Sequence, residues 1–220
     1  MIRAVLFDLD GTLYDRDSVM RNLVKEQFGV FRESLGGVSE SRFVQRILEL
    51  DAHGQGDKPL LYESVVSEWG LGCELADHLV RYFLDQYDRH CSLSDDVSAT
   101  LQTLRTCGKK LGVITNGGFE WQQRTLRSLG LASFFDTVLI SDAEGLRKPD
   151  PRIFARALER CEVNPSEALF VGDHPAIDVA GATAAGLIAV WKRVPYWEMA
   201  VENALTVDQL SEILPLCLNR

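Results

Sequence analysis

Short apolar runs recur along the chain and lack the alternation of polar and apolar residues that marks a sheet with one face in water. The five runs extend over Ile2 to Phe7, Leu111 to Thr115, Thr137 to Ser141, Ala168 to Val171, and Leu187 to Trp191. Runs of this kind are typical of strands that are buried on both faces of a parallel sheet. We therefore predict a central parallel sheet built from these segments.

Between the later runs, apolar residues repeat at helical spacing. One stripe consists of Val97, Leu101 and Leu104, and another of Ile153, Phe154, Ala157, Leu158 and Cys161. The second stripe follows Asp150 and Pro151, an acid suited to cap a helix and a proline suited to its first position. The alternation of strand and helix predicts an α/β fold with a doubly wound, Rossmann-like parallel sheet.

The segment 15–90 departs from this alternation, because it contains no convincing strand and its apolar residues follow helical spacing. The stripes are Met20, Leu23, Val24 and Phe31; Phe43, Val44, Ile47 and Leu48; and Leu75, Ala76, Leu79, Val80, Phe83, Leu84 and Tyr87. They predict an all-α helical bundle inserted after the first strand. We expect an α/β core domain of residues 1–14 and 91–220 and a helical cap domain of residues 15–90.

Composition narrows the classes of protein that this chain can belong to. Its 220 residues suit one α/β domain with an insertion, and the 46% of hydrophobic residues suffice for a core. The net charge of -9 argues against binding nucleic acid or an anionic membrane, because both require a basic surface. A protein this acidic must gather positive charge locally if its substrate is an anion.

The cysteines and the apolar segments indicate a cytoplasmic protein. The five cysteines are odd in number, widely scattered and without a CxxC pair, so we expect reduced thiols. The first apolar run ends at Asp8, too early for a signal peptide, and no other stretch approaches the ~20 apolar residues of a membrane span.

Polar residues follow three of the predicted strands, at the edge where open α/β sheets bind their ligands. The set comprises Asp8, Asp10, Thr115, Asn116, Lys148 and Asp173, with Asp178 close behind the last. A carboxylate that attacks a phosphate dianion at ~4 Å faces roughly 8 kcal/mol of repulsion at an effective dielectric of ~20. A cation held by carboxylates, together with a lysine, offsets that repulsion. The combination therefore points to phosphate chemistry.

At these residues the sequence resembles the haloacid dehalogenase superfamily. The segments Asp8-Leu9-Asp10-Gly11-Thr12, Thr115-Asn116, Lys148-Pro149 and Gly172-Asp173 with Asp178 are similar to its four signature motifs, in order and at normal spacing. A helical insertion between the first two motifs matches subfamily I, whose members carry the smaller helical cap. The resemblance extends over nearly the whole chain, and four motifs together are far more specific than any one.

The resemblance implies a magnesium-dependent phosphatase in which Asp8 is the nucleophile and forms an aspartyl-phosphate. Asp10 is then the general acid that protonates the leaving oxygen and afterwards the base that activates water. The side chains of Asp8 and Asp173 and the backbone carbonyl of Asp10 are implied to hold Mg²⁺.

The remaining motif residues receive their roles from the same resemblance. Thr115, Asn116 and Lys148 are implied to bind the substrate phosphate, and Lys148 also to restrain the nucleophile. Asp178 is implied to orient the metal site from outside its ligand set or through water. A purely structural role near the start of a helix explains Asp178 equally well, and His174 is interpreted as a solvated or hydrogen-bonding histidine rather than a proton donor.

Other chemistries occur on this fold. Dehalogenases of the superfamily usually lack an aspartate two residues after the nucleophile, so Asp10 favours phosphate esters over carbon–halogen bonds. A phosphomutase of the β-phosphoglucomutase type remains an alternative, and so does a catalytically inactive binding module, although such a module would be expected to have lost one of the motif residues.

The expected partner is a small-molecule phosphorylated substrate, because an insertion of ~75 residues is long enough to fold as a lid. Neither nucleic acid nor a membrane is expected as a partner, and the chain is expected to be a monomer or a homodimer.

Overall fold

A computed structural model describes residues 1–197 and 204–218 of the chain. The chain divides into two compact units, one formed by Met1–Tyr14 with Ser92–Arg220 and the other by Asp15–Cys91. The first is an α/β unit and the second is all-helical. The predicted fold class, a doubly wound α/β core with an inserted helical bundle, is confirmed.

The α/β unit contains a six-stranded parallel sheet in the order β3-β2-β1-β4-β5-β6. The strands are β1 (Ala4–Phe7), β2 (Lys110–Thr115), β3 (Thr137–Ile140), β4 (Ala168–Gly172), β5 (Ile188–Lys192) and β6 (Leu205–Val207). The first five match the predicted runs to within two residues. The sixth was not predicted, because it has only three residues and two of them are exposed. Strand β1 lies between β2 and β4, which places the ends of these three strands side by side.

The helical unit consists of four helices: α1 (Arg16–Phe31), α2 (Glu40–Asp51), α3 (Lys58–Glu68) and α4 (Glu74–Gln86). Single turns of 3-10 helix follow α2 at Ala52–Gly54 and α4 at Tyr87–His90. No apolar stripe was predicted for α3, and the stretch that leads into it, Gly54 to Pro59, is polar. The structure shows that this stretch starts the helix, because the Asp57 carboxylate accepts a hydrogen bond from the Leu60 amide and Pro59 occupies the first turn.

In the described part of the α/β unit there are six helices: α5 (Asp95–Thr106), α6 (Phe119–Ser128), α7 (Ser141–Glu144), α8 (Pro151–Cys161), α9 (Ala180–Ala184) and α10 (Leu214–Leu218). Single turns of 3-10 helix occupy Pro165–Glu167 and Leu210–Ile213, and one π-helical turn occupies Pro175–Val179. The predicted cap of α8 is confirmed, since the Asp150 carboxylate accepts a hydrogen bond from the Arg152 amide. The core beneath α8 includes Phe154 and Phe170, whose rings meet edge to face at 5.1 Å.

Within residues 1–197 and 204–218, no helix is both long enough and apolar enough to cross a membrane. No disulfide joins any of the five cysteines, all of which lie in the described part of the chain.

Candidate active site

The sheet order brings the predicted polar residues together at one edge. Asp8 directly follows β1, Thr115 ends β2, and Asp173 directly follows β4. The Asp8 amide donates to the Val171 carbonyl over 2.9 Å, so the pairing of β1 with β4 continues to the first carboxylate. The carboxyl ends of three neighbouring parallel strands therefore supply the candidate site.

Lys148 lies between two carboxylates in the interior of this edge. Its ammonium nitrogen lies 2.5 Å from Asp8 Oδ1 and 2.7 Å from Asp178 Oδ1, and its side chain is only 1% exposed. Burial alone would lower the pKa of Lys148, but the charges of Asp178 and Asp8 outweigh it and raise the pKa above its ordinary value. Lys148 is thus a buried, charged group and not the surface residue that a lysine usually is.

A cluster of three buried carboxylates forms around this lysine. Asp8, Asp173 and Asp178 each offer an oxygen, and these oxygens lie within 4.8 Å of one another. Burial raises the pKa of Asp8 well above its ordinary value despite the opposing effect of Lys148. Burial, with the charge of Asp178, raises the pKa of Asp173 to about 7.

The charge of this cluster fits a divalent cation. When all three carboxylates are ionised, the one ammonium leaves two negative charges without compensation, which a single divalent ion would balance. Carboxylate oxygens are also the ligands that Mg²⁺ and Ca²⁺ prefer. The expected ligands Asp8 and Asp173 both belong to the cluster, whereas Asp178 was expected only near it.

Three aromatic side chains hold Asp173, and none of them was predicted as a site residue. Tyr196 donates to Asp173 Oδ2 over 3.2 Å, and the indole of Trp197 donates to the same oxygen over 3.1 Å. The indole of Trp191 donates to the Asp173 backbone carbonyl over 2.8 Å. All three use a polar hydrogen to fix one residue of the carboxylate cluster.

Asp10 is held away from the cluster by two donors. Tyr14 donates to Asp10 Oδ1, and the amide nitrogen of Gln122 donates to Asp10 Oδ2 over 2.8 Å. Gln122 is 3% exposed, and its Oε1 accepts no hydrogen bond from the residues that the structure describes. Neither Tyr14 nor Gln122 was predicted as a site residue. Gln122 lies on α6, 112 positions from its partner, where no local pattern points to Asp10.

The two polar residues at the end of β2 differ in what they contact. Asn116 exchanges a pair of hydrogen bonds with the Lys148 backbone, from its amide nitrogen to the carbonyl over 3.0 Å and from the Lys148 amide to its oxygen over 2.9 Å. The Thr115 hydroxyl is buried and makes no hydrogen bond within residues 1–197 and 204–218. Asn116 therefore fixes the segment that carries Lys148, while Thr115 retains a donor.

Two glycines of the motifs permit this close packing. Gly11 has a φ of 81°, and a Cβ there would lie 2.7 Å from Asp173 Oδ2 and 2.9 Å from the Tyr196 hydroxyl. A Cβ on Gly172 would lie 2.4 Å from the Asp178 Cβ. Any side chain at either position would displace the cluster.

The π-helical turn after β4 positions Asp178. Asp178 Oδ2 accepts the His174 amide over 3.0 Å, and His174 Nδ1 accepts the amides of Ala176 and Ile177 over 3.2 and 3.3 Å. Burial lowers the pKa of His174, in keeping with a neutral ring that accepts these bonds. His174 is therefore a hydrogen-bonding residue of this turn.

Three basic residues of the helical unit are engaged with partners inside that unit. Lys58 lies 2.7 Å from Asp51, Arg46 lies 2.8 Å from Glu68, and the guanidinium of Arg42 stacks at 5.6 Å from the ring centre of Trp69. Each of them already has a partner inside that unit.

Comparison with known proteins places the chain in a family. Residues 2–186 match the family model of haloacid dehalogenase-like hydrolases. The glyceraldehyde 3-phosphate phosphatase of Methanopyrus kandleri is 33% identical over 211 residues, which are 92% of this chain and 89% of that protein. The phosphoserine phosphatase of Thermus thermophilus is 40% identical over 131 residues, which are 60% of this chain and 52% of that protein.

Among solved structures, the HAD-hydrolase YfnB from Bacillus subtilis, bound to magnesium, has the same fold. The TM-score is 0.79 at 20% identity, and the match covers 99% of each chain. The chain belongs to the haloacid dehalogenase-like hydrolases. Within that family it is a phosphoric monoester hydrolase, in keeping with the phosphatases among its relatives.

Proposed function

We propose that the protein is a magnesium-dependent phosphatase that hydrolyses a small-molecule phosphate monoester through an aspartyl-phosphate on Asp8. The observation that carries this proposal is the buried ion pair between Lys148 and Asp8 at 2.5 Å, inside a cluster of carboxylates suited to a divalent cation. The Asp8 carboxylate is therefore next to the Lys148 ammonium, which can bind an incoming phosphate.

In the first step, a carboxylate oxygen of Asp8 attacks phosphorus and the bond from phosphorus to the ester oxygen breaks. The leaving oxygen takes a proton from Asp10, so the alcohol departs neutral. In the second step, Asp10 accepts a proton from water, the water oxygen attacks phosphorus, and the bond to Asp8 breaks. Inorganic phosphate leaves and both aspartates return to their starting states.

The two hydrogen bonds to Asp10 support its assignment to proton transfer. Tyr14 and Gln122 fix its carboxylate while Lys148 pairs with Asp8 and Asp178 instead. Asp10 is thus not neutralised by the lysine and can exchange its proton with a leaving group or with water. The buried Gln122 oxygen can accept a hydrogen bond from the protonated carboxyl group of Asp10 or from a water molecule.

The phosphate is bound by Lys148, the Thr115 hydroxyl and the main chain of Asn116. The buried, unpartnered hydroxyl of Thr115 supports this assignment. The Asn116 side chain is committed to the Lys148 backbone, so its contribution to the phosphate comes from its N–H.

Asp8, Asp173 and Asp178 fit a divalent cation by charge and by ligand type, and the family resemblance adds the Asp10 carbonyl. When bound there, Mg²⁺ supplies positive charge that offsets repulsion between Asp8 and the phosphoryl oxygens. Asp178 also keeps Lys148 in place between the two carboxylates.

The substrate is a small metabolite phosphate. Glyceraldehyde 3-phosphate and phosphoserine, named in the relatives, are both small esters. The helical unit serves as the cap domain that selects among such esters, and the acidic net charge of -9 disfavours polyanions such as nucleic acid. Five cysteines without a disulfide among them accord with a reducing, cytoplasmic location.

The function is tested by phosphate release from an aryl phosphate and from a panel of phosphorylated metabolites, with a haloacid as a parallel substrate. We expect phosphate release and no halide release. Release of halide would identify a dehalogenase, and interconversion of two sugar phosphates with little free phosphate would identify a phosphomutase.

We expect the phosphatase activity to require Mg²⁺. Excess chelator removes activity, added Mg²⁺ restores it, and Ca²⁺ restores it poorly, because Ca²⁺ takes 6–8 ligands and can engage both oxygens of Asp8. The measurement is the rate of phosphate release in enzyme treated with chelator and then dialysed against each ion. Full activity in chelator, or equal rates with the two ions, would contradict the proposed metal site.

Replacing Asp10 by Asn separates substrates by their leaving groups. Sugar phosphates, whose alkoxides need a proton, should slow by ~10²–10⁴-fold, and aryl phosphates should slow far less. The measurement is kcat/KM for one ester of each kind. Asp85→Asn, a change at an exposed carboxylate of α4, is the matched control and should leave both rates unchanged. An equal loss on both esters would remove Asp10 from proton transfer.

A further inference from the structure

Asp173 differs from the other carboxylates of the cluster in how its two oxygens are used. Oδ2 accepts two hydrogen bonds, from Tyr196 over 3.2 Å and from Trp197 over 3.1 Å. In residues 1–197 and 204–218, no group donates to Oδ1. A carboxylate oxygen has about two lone pairs, so the two donors occupy the accepting capacity of Oδ2 and leave Oδ1 as the oxygen with capacity to bind an ion.

The surroundings of Asp173 prevent the carboxylate from turning to present both oxygens. The Trp191 indole holds the Asp173 backbone carbonyl over 2.8 Å. Gly11 packs so closely that even a Cβ would lie 2.7 Å from Asp173 Oδ2. The Trp197 ring packs at a tilt of 41° against the ring of His174, the residue that follows Asp173, with ring centres 4.3 Å apart. Backbone, carboxylate and donor rings are therefore fixed relative to one another.

We propose that Tyr196 and Trp197 are positioning residues that restrict Asp173 to binding a cation through one oxygen, and that they thereby select Mg²⁺ over Ca²⁺. This inference rests on the proposed cation at Asp8, Asp173 and Asp178, and it adds how the chain discriminates between ions.

The chemistry of the two ions explains why one-oxygen binding discriminates. Mg²⁺ requires a near-octahedral arrangement of six ligands at 2.0–2.1 Å and is bound by one or two carboxylates together with water. Ca²⁺ takes 6–8 oxygens at 2.3–2.6 Å and frequently uses both oxygens of a carboxylate. Denying the second oxygen of Asp173 removes a ligand that Ca²⁺ can use and Mg²⁺ does not need.

The Tyr196 hydroxyl and the Trp197 indole are both neutral donors, and their neutrality preserves the affinity of the site for a cation. They hold Oδ2 without adding positive charge, so the two uncompensated negative charges of the cluster remain for the ion. A lysine or arginine in their place would fix the carboxylate equally but would repel the cation. The use of phenol and indole groups thus combines restraint with an undiminished charge.

The test is equilibrium binding of Mg²⁺ and of Ca²⁺ to metal-free enzyme by calorimetry, without substrate. The variants are Tyr196→Phe, Trp197→Phe and the double variant, each of which keeps an aromatic ring at the position and removes the donor. Trp69→Phe, in the helical unit, is the matched aromatic control. We expect the double variant to lose about tenfold in Mg²⁺ affinity while Ca²⁺ affinity stays equal or rises. The ratio of the two dissociation constants should fall in each single variant as well.

Two results would overturn the inference. Equal losses for both ions in the variants would mean that the residues only stabilise the loop, and unchanged affinities would mean that they do not act on the ion. If the double variant does not fold, the single variants decide between these results. A wild-type enzyme that binds neither ion would instead overturn the proposed metal site, and with it the function from which the inference starts.

Discussion

The variant Asp8→Asn is expected to lose turnover by roughly 10⁴-fold or more, because the amide cannot attack phosphorus. The fold should persist. Lys148 keeps Asp178 at 2.7 Å as a counter-ion, and the substitution removes one of three buried carboxyl groups whose ionisation is costly. The thermal midpoint of the metal-free variant should therefore equal or exceed that of wild-type enzyme.

The measurement combines phosphate release with thermal unfolding of the metal-free proteins. Asp85→Asn, which removes an exposed carboxylate, should match wild-type enzyme in both. Turnover within tenfold of wild type would contradict nucleophilic catalysis by Asp8. A large fall in the thermal midpoint would show that Asp8 is needed for the fold, and the loss of activity would then say nothing specific about chemistry.

Lys148→Met is expected to damage both stability and activity. The substitution leaves Asp8 and Asp178 buried without their ammonium partner, and breaking such a pair typically costs about 3–5 kcal/mol. Activity should fall by at least ~10²-fold, because a positive charge is lost where the phosphate binds. Added Mg²⁺ should recover part of the stability and little of the activity, since it compensates the carboxylates and does not replace the lysine.

Denaturant unfolding with and without Mg²⁺, together with kcat/KM, tests this prediction. Lys25→Met, at an exposed position of α1, is the control for loss of a lysine charge. Lys148→Arg should not restore activity, because the planar guanidinium is too large for a position in which the lysine side chain is 1% exposed. A Lys148→Met enzyme as stable and active as wild type would show that the buried ion pair has no role in either property.

The fold was predictable because it follows from local patterns. The five predicted strands are continuous apolar runs, and the cap of α8 needs only Asp150 and Pro151. The elements that were missed lack such a signal. Strand β6 is short and mostly exposed, and α3 starts in a polar stretch that also resembles a linker.

The candidate site was predictable in its motifs and not in its supporting contacts. Asp8, Thr115 and Asp173 converge because the carboxyl ends of parallel strands lie at one edge of the sheet. Lys148 joins them from the loop before α8, which is held by Asn116. The residues that hold the carboxylates lie elsewhere. Tyr196 and Trp197 lie 23 and 24 positions beyond Asp173, and Gln122 lies on a helix far from Asp10 in sequence. Their hydrogen bonds arise from tertiary packing, and aromatic and glutamine residues are common enough to give no pattern of their own.

The central claim is the phosphoryl group on Asp8, and trapping it is the most direct measurement. Enzyme turning over with Mg²⁺ and a phosphate monoester is quenched and reduced with borohydride, which converts an aspartyl-phosphate to homoserine, and its peptides are sequenced by mass spectrometry. We predict homoserine at position 8 in the wild-type enzyme only when substrate is present, and none in Asp8→Asn. Steady-state phosphate release with position 8 unmodified, or with the modification at another aspartate, would contradict the account.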